Sequence, residues 1–365
     1  MKWFYVVLSA VMLLFSCSTD IDLNANYKDI TIVYGLLNKD ADYQYIKIGK
    51  AFLGEIAASE MAQVSDSFTY KKADVSVIKL KNGNYIKTIQ FNYTDTIKKD
   101  SGIFANDKNT IYVSDEKIIE NSEINNINDY SYKLEVKIPG KEPVTSEIIL
   151  VDNVSEILQK DTLAAVSEVN LYKSLGYNSG IYYLYNLRFI NPDNAYTTEV
   201  CAQCFFYNKI GNDYYLDSTT IFFNGNAKTY SSEYNQELVF RIKGKDFYTK
   251  LHENLINKEH YKRVFYCLRF GFLSAGRGLA DYIEQTKLSQ TGLEDFNAFS
   301  NINNGYGVFS STSFSFSDYM FIDYDSGSLN HLSEKNSPTY VDNFVREGKV
   351  LEFFDDDKYD IFNLY

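Results

Sequence analysis

The sequence predicts an all-β protein with a few short helices, and three observations support this prediction. Short apolar runs recur along the chain and are punctuated by turn residues. The strand-favouring residues Tyr and Phe number 32 and 26. No long stretch carries a helical apolar period. We therefore expect an N-terminal immunoglobulin-like β-sandwich at residues 29–152 and a larger β-rich domain at residues 153–352.

The first predicted domain is a series of hairpins. Six short apolar runs are expected to form its strands: 30–37, 43–48, 73–80, 85–91, 130–138 and 144–151. A polar loop at residues 38–42 joins the first two runs. Asn82-Gly83 suits a type I′ turn, because both residues tolerate positive φ. The run at 130–138 alternates apolar and polar residues throughout, which predicts one buried and one solvated face.

The second predicted domain contains four longer apolar runs, at 181–190, 197–207, 214–223 and 263–273. Asp246 is placed to cap a helix on which Phe247, Leu251 and Leu255 share one face. A second short helix is expected at residues 340–347. Residues 152–178 are compatible with a helix or a linker, and residues 353–365 form an acidic tail.

The N-terminus has the order of a secretory signal peptide. Lys2 precedes an apolar run that ends at Phe15, and Ser16 stands directly before Cys17. This order resembles the bacterial lipobox, in which the cysteine is lipidated and becomes the first mature residue. We expect residues 1–16 to be removed and residues 17–28 to tether the body to the membrane. Two or more acyl chains hold a protein stably on a bilayer.

The charge balance excludes several classes of partner. The formal net charge is −12, whereas nucleic-acid binding requires a basic footprint. The same charge disfavours docking of the body on anionic lipid. We therefore expect no nucleic-acid partner, and membrane attachment through the lipid on Cys17 alone.

Three cysteines of the mature chain leave alternatives open. Cys201 and Cys204 form a C-x-x-C pair in strand-like sequence, where residues three apart point to opposite faces. The third cysteine is Cys267, and no second pair exists to complete a zinc site. We favour buried free thiols. A structural disulfide among Cys201, Cys204 and Cys267 is the alternative in an oxidising compartment, and a redox or metal site ranks last.

Motifs for catalysis are lacking, so we predict no catalytic, cofactor or metal-binding residues and no enzymatic activity. The histidines are His252, His260 and His331, and no nucleophile elbow accompanies them. Gly276-Arg277-Gly278 lacks the Lys-Ser/Thr successor and the preceding βα unit of a phosphate loop. Carboxylate pairs depend on distances in space, which the sequence does not give.

A glycine-containing segment near the C-terminus combines with the N-terminal strand to give a resemblance. The segment is Ser300-Asn301-Ile302-Asn303-Asn304-Gly305-Tyr306-Gly307-Val308-Phe309, and the strand spans residues 30–38. Together with the lipobox, they resemble a family of uncharacterised Bacteroidota outer-membrane lipoproteins. Its members are often encoded beside TonB-dependent transporters, which implies such a transporter as a partner.

The loop Asn304, Gly305, Tyr306 and Gly307 within that segment has two interpretations. Glycines in strand sequence indicate a turn or bulge that needs positive φ, so we interpret the loop as structural. A ligand-contacting loop is the alternative.

These observations predict a non-enzymatic lipoprotein of the outer membrane that captures a ligand for, or assists, a TonB-dependent transporter. Asp20 and Asp22 follow the lipidated cysteine, and in this phylum acidic residues there favour the cell surface over the periplasmic face. A surface adhesion or structural protein that binds other proteins is the alternative. A hydrolase with carboxylates assembled across the second domain is the third hypothesis.

Replacement of Cys17 by alanine tests the lipid anchor. We expect Cys17→Ala to abolish acyl labelling, because the thiol is the acceptor of the lipid. Metabolic labelling with a radioactive fatty acid measures this, and labelling that remains unchanged would contradict the prediction.

Overall fold

The computed structural model describes ten segments of the chain: residues 28–53, 69–70, 72–97, 111–158, 168–176, 179–210, 213–228, 236–255, 262–290 and 299–323. Strands dominate these segments, and the helices in them are few and short. The all-β prediction is therefore confirmed, while the immunoglobulin-like sandwich stays a prediction. The expected signal peptide, Cys17, the helix at 340–347 and the acidic tail lie outside the described residues.

The N-terminal half contains the expected hairpins and one further strand. The strands are β1 (Lys28–Asn38), β2 (Gln44–Leu53), β3 (Asp74–Lys81), β4 (Asn84–Thr94), β5 (Ile111–Ser114), β6 (Tyr130–Lys137) and β7 (Val144–Ile148). A 3-10 helix spans Ile124–Asp129. Asn82 and Gly83 both have positive φ, at 48° and 79°, as the predicted type I′ turn requires. Strand β5 was not predicted.

The second half contains longer strands and two helices. The strands are β8 (Ile157–Leu158), β9 (Glu168–Asn170), β10 (Tyr172–Gly176), β11 (Ser179–Tyr182), β12 (Leu184–Ile190), β13 (Thr197–Ile210), β14 (Asp213–Lys228), β15 (Glu237–Lys243), β16 (Lys262–Ala275), β17 (Tyr306–Phe316) and β18 (Phe321–Asp323). The helices are α1 (Gly244–Leu255) and α2 (Arg277–Gln290). Helix α2 was not predicted.

One strand from near the C-terminus joins the two halves into a single sheet. The order is β14-β13-β16-β17-β1-β2-β5-β4-β3-β6-β7. The first part of β17 runs parallel to β1, from the pair Ile32 and Tyr306 onward. Its last part runs antiparallel to β16, from Thr312 to Phe316. Strand β17 therefore leaves one neighbour and joins the other at Thr312.

The N-terminal part of the sheet closes on itself. Thr145 in β7 donates its N–H to the carbonyl of Asn303 at 3.2 Å and accepts the Asn303 N–H at 2.8 Å. Strands β17, β1, β2, β5, β4, β3, β6 and β7 therefore enclose one core, which includes Val33, Ile46, Val77, Leu134, Ile302 and Phe309. Residues 302 and 309 thus pack with the first predicted domain. The division at residues 152 and 153 stays a prediction.

A second core lies between the sheet and helix α1. The inward residues of β13 and β16 include Ala202, Phe206 and Phe270, and they meet β12 and α1. Phe247, Leu251 and Leu255 are buried on one face of α1, as their spacing predicted. Each such burial contributes about 1.5–3 kcal/mol. The helix begins at Gly244, so Asp246 lies in its first turn rather than at its N-cap.

The first core also holds a buried cation. The Lys79 side chain is 1% exposed and donates to Glu123 Oε2 at 2.5 Å. Its ammonium lies 4.9 Å from the centre of the Tyr130 ring, which adds a cation–π attraction. Burial alone would raise the pKa of Glu123, but the hydrogen bonds from Lys79 and from the Glu120 N–H outweigh it and lower that pKa. The ion pair thus lets a lysine occupy the core.

Gly307→Ala tests the junction of β17 with β1. Gly307 has φ +119°, and a Cβ there would overlap the backbone of Val33, which cannot move without disturbing β1. We expect a loss of more than about 3 kcal/mol in the free energy of unfolding, because strain and overlap add. Denaturant unfolding measures the loss.

Gly83→Ala is the matched control. Gly83 also has positive φ, at +79°, but a Cβ there meets nothing within 4 Å. We expect it to cost only the left-handed strain of about 1–2 kcal/mol. Equal losses for the two variants would contradict the role of the close approach.

Candidate functional site

The glycine-containing loop predicted from the sequence lies where the ring of strands closes. Asn304, at φ 59°, donates its side-chain N–H to the carbonyl of Pro143 at 2.9 Å. A Cβ on Gly305 would lie 2.8 Å from the carbonyl oxygen of Thr31. These contacts agree with a structural role for the loop. The side chain of Tyr306 is 47% exposed.

The three cysteines are buried free thiols. Cys204 packs into the second core, whereas Cys201 lies on the opposite side of β13 against Gly271. Burial raises the pKa of all three thiols, that of Cys267 to about 12. High pKa values keep thiols protonated and unreactive near neutral pH. The geometry is that of core packing, which was the favoured interpretation.

The described residues contain neither a metal-ligand cluster nor a membrane span. No group of three or more His, Cys, Asp or Glu side chains converges within them. No helix among them has both the length and the apolar character that crossing a bilayer requires. His260 and His331 lie outside the described residues, and so does the side chain of His252 in α1.

A cleft with a volume of about 470 Å³ lies where the closed ring meets the second half of the protein. Its size falls within the ordinary range for small-molecule sites. The lining residues come from β7, the turn after β12, the start of α2 and the segment around β17: Glu147, Ile148, Ile149, Asn191, Asn194, Ala195, Tyr196, Gly276, Arg277, Gly278, Asp281, Phe299, Asn301 and Ser310. We take this cleft as the candidate functional site.

The start of helix α2 forms one wall of the cleft and is held by β17. Gly276 donates its N–H to the carbonyl of Ser311 at 2.9 Å, and Leu279 donates its N–H to Ser310 Oγ at 3.1 Å. A Cβ on Gly278 would lie 2.8 Å from Asn301 Nδ2. A larger residue there would push the Asn301 side chain, so glycine suits the place where the helix meets the strand.

Two asparagines of the lining serve the scaffold. Asn301 receives the N–H of Phe309 at 3.0 Å and donates to its carbonyl at 2.6 Å, which fixes the loop against β17. Asn194, at φ 64°, donates to Asn128 Oδ1 at 2.7 Å and to the carbonyl of Leu150 at 3.0 Å. Both amides thus have partners within the protein.

Two other polar residues of the lining differ in exposure: Arg277 is open to a ligand, whereas Asn191 is buried. Arg277 is 73% exposed, with Nε 3.5 Å from Asp281 Oδ2 and the guanidinium 5.4 Å from the centre of the Tyr196 ring. Asn191 is 5% exposed and donates to the carbonyl of Ala195 at 3.1 Å. Its Oδ1 atom has no hydrogen-bond partner within the described part of the chain. A buried acceptor without a donor is costly and calls for an explanation.

Sequence reasoning missed this site, although one of its motifs had been noticed. The motif Gly276-Arg277-Gly278 fails the pattern of a phosphate loop, which is the one function that its sequence suggested. The missed signal is the coincidence of two close-packed glycines with an exposed arginine at a helix start. The cleft draws on segments more than 100 residues apart, so local sequence patterns could not reveal it.

Comparison with known proteins does not identify the chain. It matches no protein-family model and no curated protein sequence. Among solved structures it aligns with the C-terminal globular domain of an oligosaccharyltransferase from Pyrococcus abyssi, at 9% identity and a TM-score of 0.16. The alignment covers 81% of this chain but spans only half (50%) of that chain's length. A match at this level carries no information about function.

Thiol counting tests the state of the three cysteines. We expect Ellman's reagent to find almost no reactive thiol in the native mature protein, because burial shields the thiols and raises their pKa. The unreduced, denatured protein should give three thiols, matching Cys201, Cys204 and Cys267. A count of one would instead establish a disulfide, and rapid labelling of the native protein would contradict the burial.

Proposed function

We propose that the protein is a non-enzymatic, lipid-anchored lipoprotein of the outer membrane that captures a small ligand in the cleft between its two halves. The observation that carries this proposal is the cleft itself. It combines a volume of about 470 Å³ with an exposed guanidinium at Arg277 and a buried, unpartnered acceptor on Asn191. A small number of convergent polar groups in a largely preformed pocket is typical of ligand sites.

The lipid anchor and the transporter come from the sequence. Lipidation at Cys17 would confine the cleft to the membrane surface and raise the local concentration of the captured ligand near a partner. The resemblance to lipoproteins encoded beside TonB-dependent transporters provides that partner. Asp20 and Asp22 favour the cell surface as the place of capture.

A second candidate function is protein binding or adhesion through an exposed apolar sheet face, as the alternative prediction had it. The outer face of β14, β13, β16 and β17 carries large apolar side chains that are 38–68% exposed: Phe222, Leu273, Phe314 and Phe316. Beside them, Arg269 stacks 3.7 Å from the centre of the Phe316 ring. Clusters of exposed aromatic and arginine side chains are typical of protein interfaces.

A third candidate, a carboxylate-based hydrolase, is favoured by one observation. Glu147 and Asp281 both line the cleft, so two carboxylates share one site. Asp281 is already engaged by Arg277, however. We rank ligand capture first, and product analysis after incubation with any ligand found would separate the two.

Complementation of a deletion strain tests ligand capture. We expect loss of the gene to slow growth on one nutrient at limiting concentration and to leave unrelated nutrients unaffected. The doubly substituted Arg277→Ala and Asp281→Ala protein should fail to restore growth, because the charged pair in the wall of the cleft is removed. Growth rates across a panel of sole nutrients measure this.

Arg241→Ala is the control for that experiment, since Arg241 is an exposed arginine on β15 and does not line the cleft. It should restore growth fully at the same protein level.

Affinity purification from gently solubilised outer membranes should recover a TonB-dependent transporter near stoichiometry. Recovery of the lipoprotein alone, together with no growth defect on any nutrient, would contradict the proposal.

A further inference from the structure

The charges of the cleft disfavour an anionic ligand. The described lining residues carry two carboxylates, Glu147 and Asp281, and one guanidinium, Arg277. The whole chain has a net charge of −12. Simple electrostatics therefore repels a phosphate or carboxylate from this site.

The start of helix α2 does not reverse that balance. Of its first amides, Leu279 donates to Ser310 Oγ and Ala280 to the carbonyl of Gly276. Asp281 follows one turn into the helix and places a negative charge near its positive end. The close packing of Gly278 against Asn301 explains the glycine without any phosphate.

The hydrogen-bonding groups of the cleft instead match groups that both donate and accept. Arg277 only donates, Asp281 and Glu147 accept when ionised, and Asn191 Oδ1 is an acceptor that lacks a donor. Arg277 and Asp281 lie side by side, with their charges partly cancelled. A hydroxyl group can satisfy a donor and an acceptor at once, whereas an ionised carboxylate or a phosphodiester has acceptors only.

The apolar part of the lining includes two rings. Tyr196 and Phe299 line the cleft with Ile149, which is 40% exposed. The ring of a sugar has apolar C–H faces that pack on aromatic surfaces while its hydroxyls point to polar groups. The mixture of aromatic rings, carboxylates, an amide and a guanidinium therefore suits a sugar.

We propose that the cleft binds a small neutral saccharide, with Asn191 Oδ1 accepting a sugar hydroxyl and the Arg277–Asp281 pair binding others. This inference rests on the proposed function and adds the ligand class to it. A short peptide is the competing class. The backbone N–H of a peptide would also satisfy Asn191. The two charged termini of a peptide, however, need a free cation and a free anion, whereas Arg277 and Asp281 are paired with each other.

The experiment uses an introduced tryptophan as a fluorescent reporter of binding. The only tryptophan is Trp3, within the predicted signal peptide, so Phe299→Trp places a single tryptophan of the mature lipoprotein in the cleft, where it can be excited selectively over the tyrosines. Phe314→Trp, on the outer sheet face and 43% exposed, is the matched control. The probes are maltose, cellobiose and N,N′-diacetylchitobiose as neutral sugars, digalacturonic acid as an acidic sugar, and trialanine as a peptide.

We expect at least one neutral disaccharide to shift the emission of the Phe299→Trp protein and to leave that of Phe314→Trp unchanged. Calorimetry with the unaltered mature protein should detect the same sugar, so that binding does not depend on the reporter. Arg277→Ala should raise the Kd for this sugar by about tenfold or more, because a charged hydrogen bond is lost. Arg241→Ala should leave the Kd unchanged.

Other outcomes overturn the inference in distinguishable ways. A response of Phe299→Trp to digalacturonic acid or trialanine alone would refute the neutral saccharide and leave ligand capture in the cleft standing. Silence of both reporters and of calorimetry with every neutral sugar would also refute the saccharide. A response of Phe314→Trp alone would place binding on the outer face and refute both the saccharide inference and capture in the cleft.

Discussion

The architecture depends on the placement of strand β17 between β1 and β16. In the sequence β16 is the strand before β17, whereas β1 lies at the other end of the described chain. Strand β17 pairs with β1 through its first part and with β16 through its last part. The parallel pairing requires the backbone of residue 307 to pass directly against Val33, which only glycine permits. Closure of the ring at Asn303 follows from the same placement. One strand thus completes the first core and attaches the second.

Polar contacts, rather than apolar ones, fix the geometry where the two halves meet. Ser310, Ser311 and Ser313 of β17 are all almost fully buried. Ser310 accepts the N–H of Leu279 at 3.1 Å, and Ser311 accepts the N–H of Val151 at 2.9 Å. Ser313 donates to the carbonyl of Asp152 at 2.6 Å. Each such bond contributes only about 1 kcal/mol, but a buried group left unpaired costs more. Directional bonds therefore define the position of α2, and with it one wall of the cleft.

The sequence predicted what local patterns encode and missed what distant pairing creates. Alternation identified the strand at 130–138, and spacing identified the face of α1 formed by Phe247, Leu251 and Leu255. The pairing of β17 with β1 brings together residues about 270 apart, and no local pattern specifies such a partner. Helix α2 was missed because its apolar residues form only a weak face. The cleft could not be predicted either, because α2 and β17 form much of it.

The state of the cleft's amides indicates where selectivity for a ligand would arise. Asn194 and Asn301 have their hydrogen bonds within the protein, so they hold the walls and offer a ligand little. Asn191 differs, because its buried acceptor lacks a donor within the described residues. A buried unpaired group costs about 1–3 kcal/mol, and a ligand that supplies the donor recovers this free energy. A site with such a group rejects analogues that lack the donor far more strongly than an apolar wall rejects a change of shape. If the cleft binds a ligand as proposed, its discrimination would depend on one buried oxygen, held in place by the bond from the Asn191 amide to Ala195.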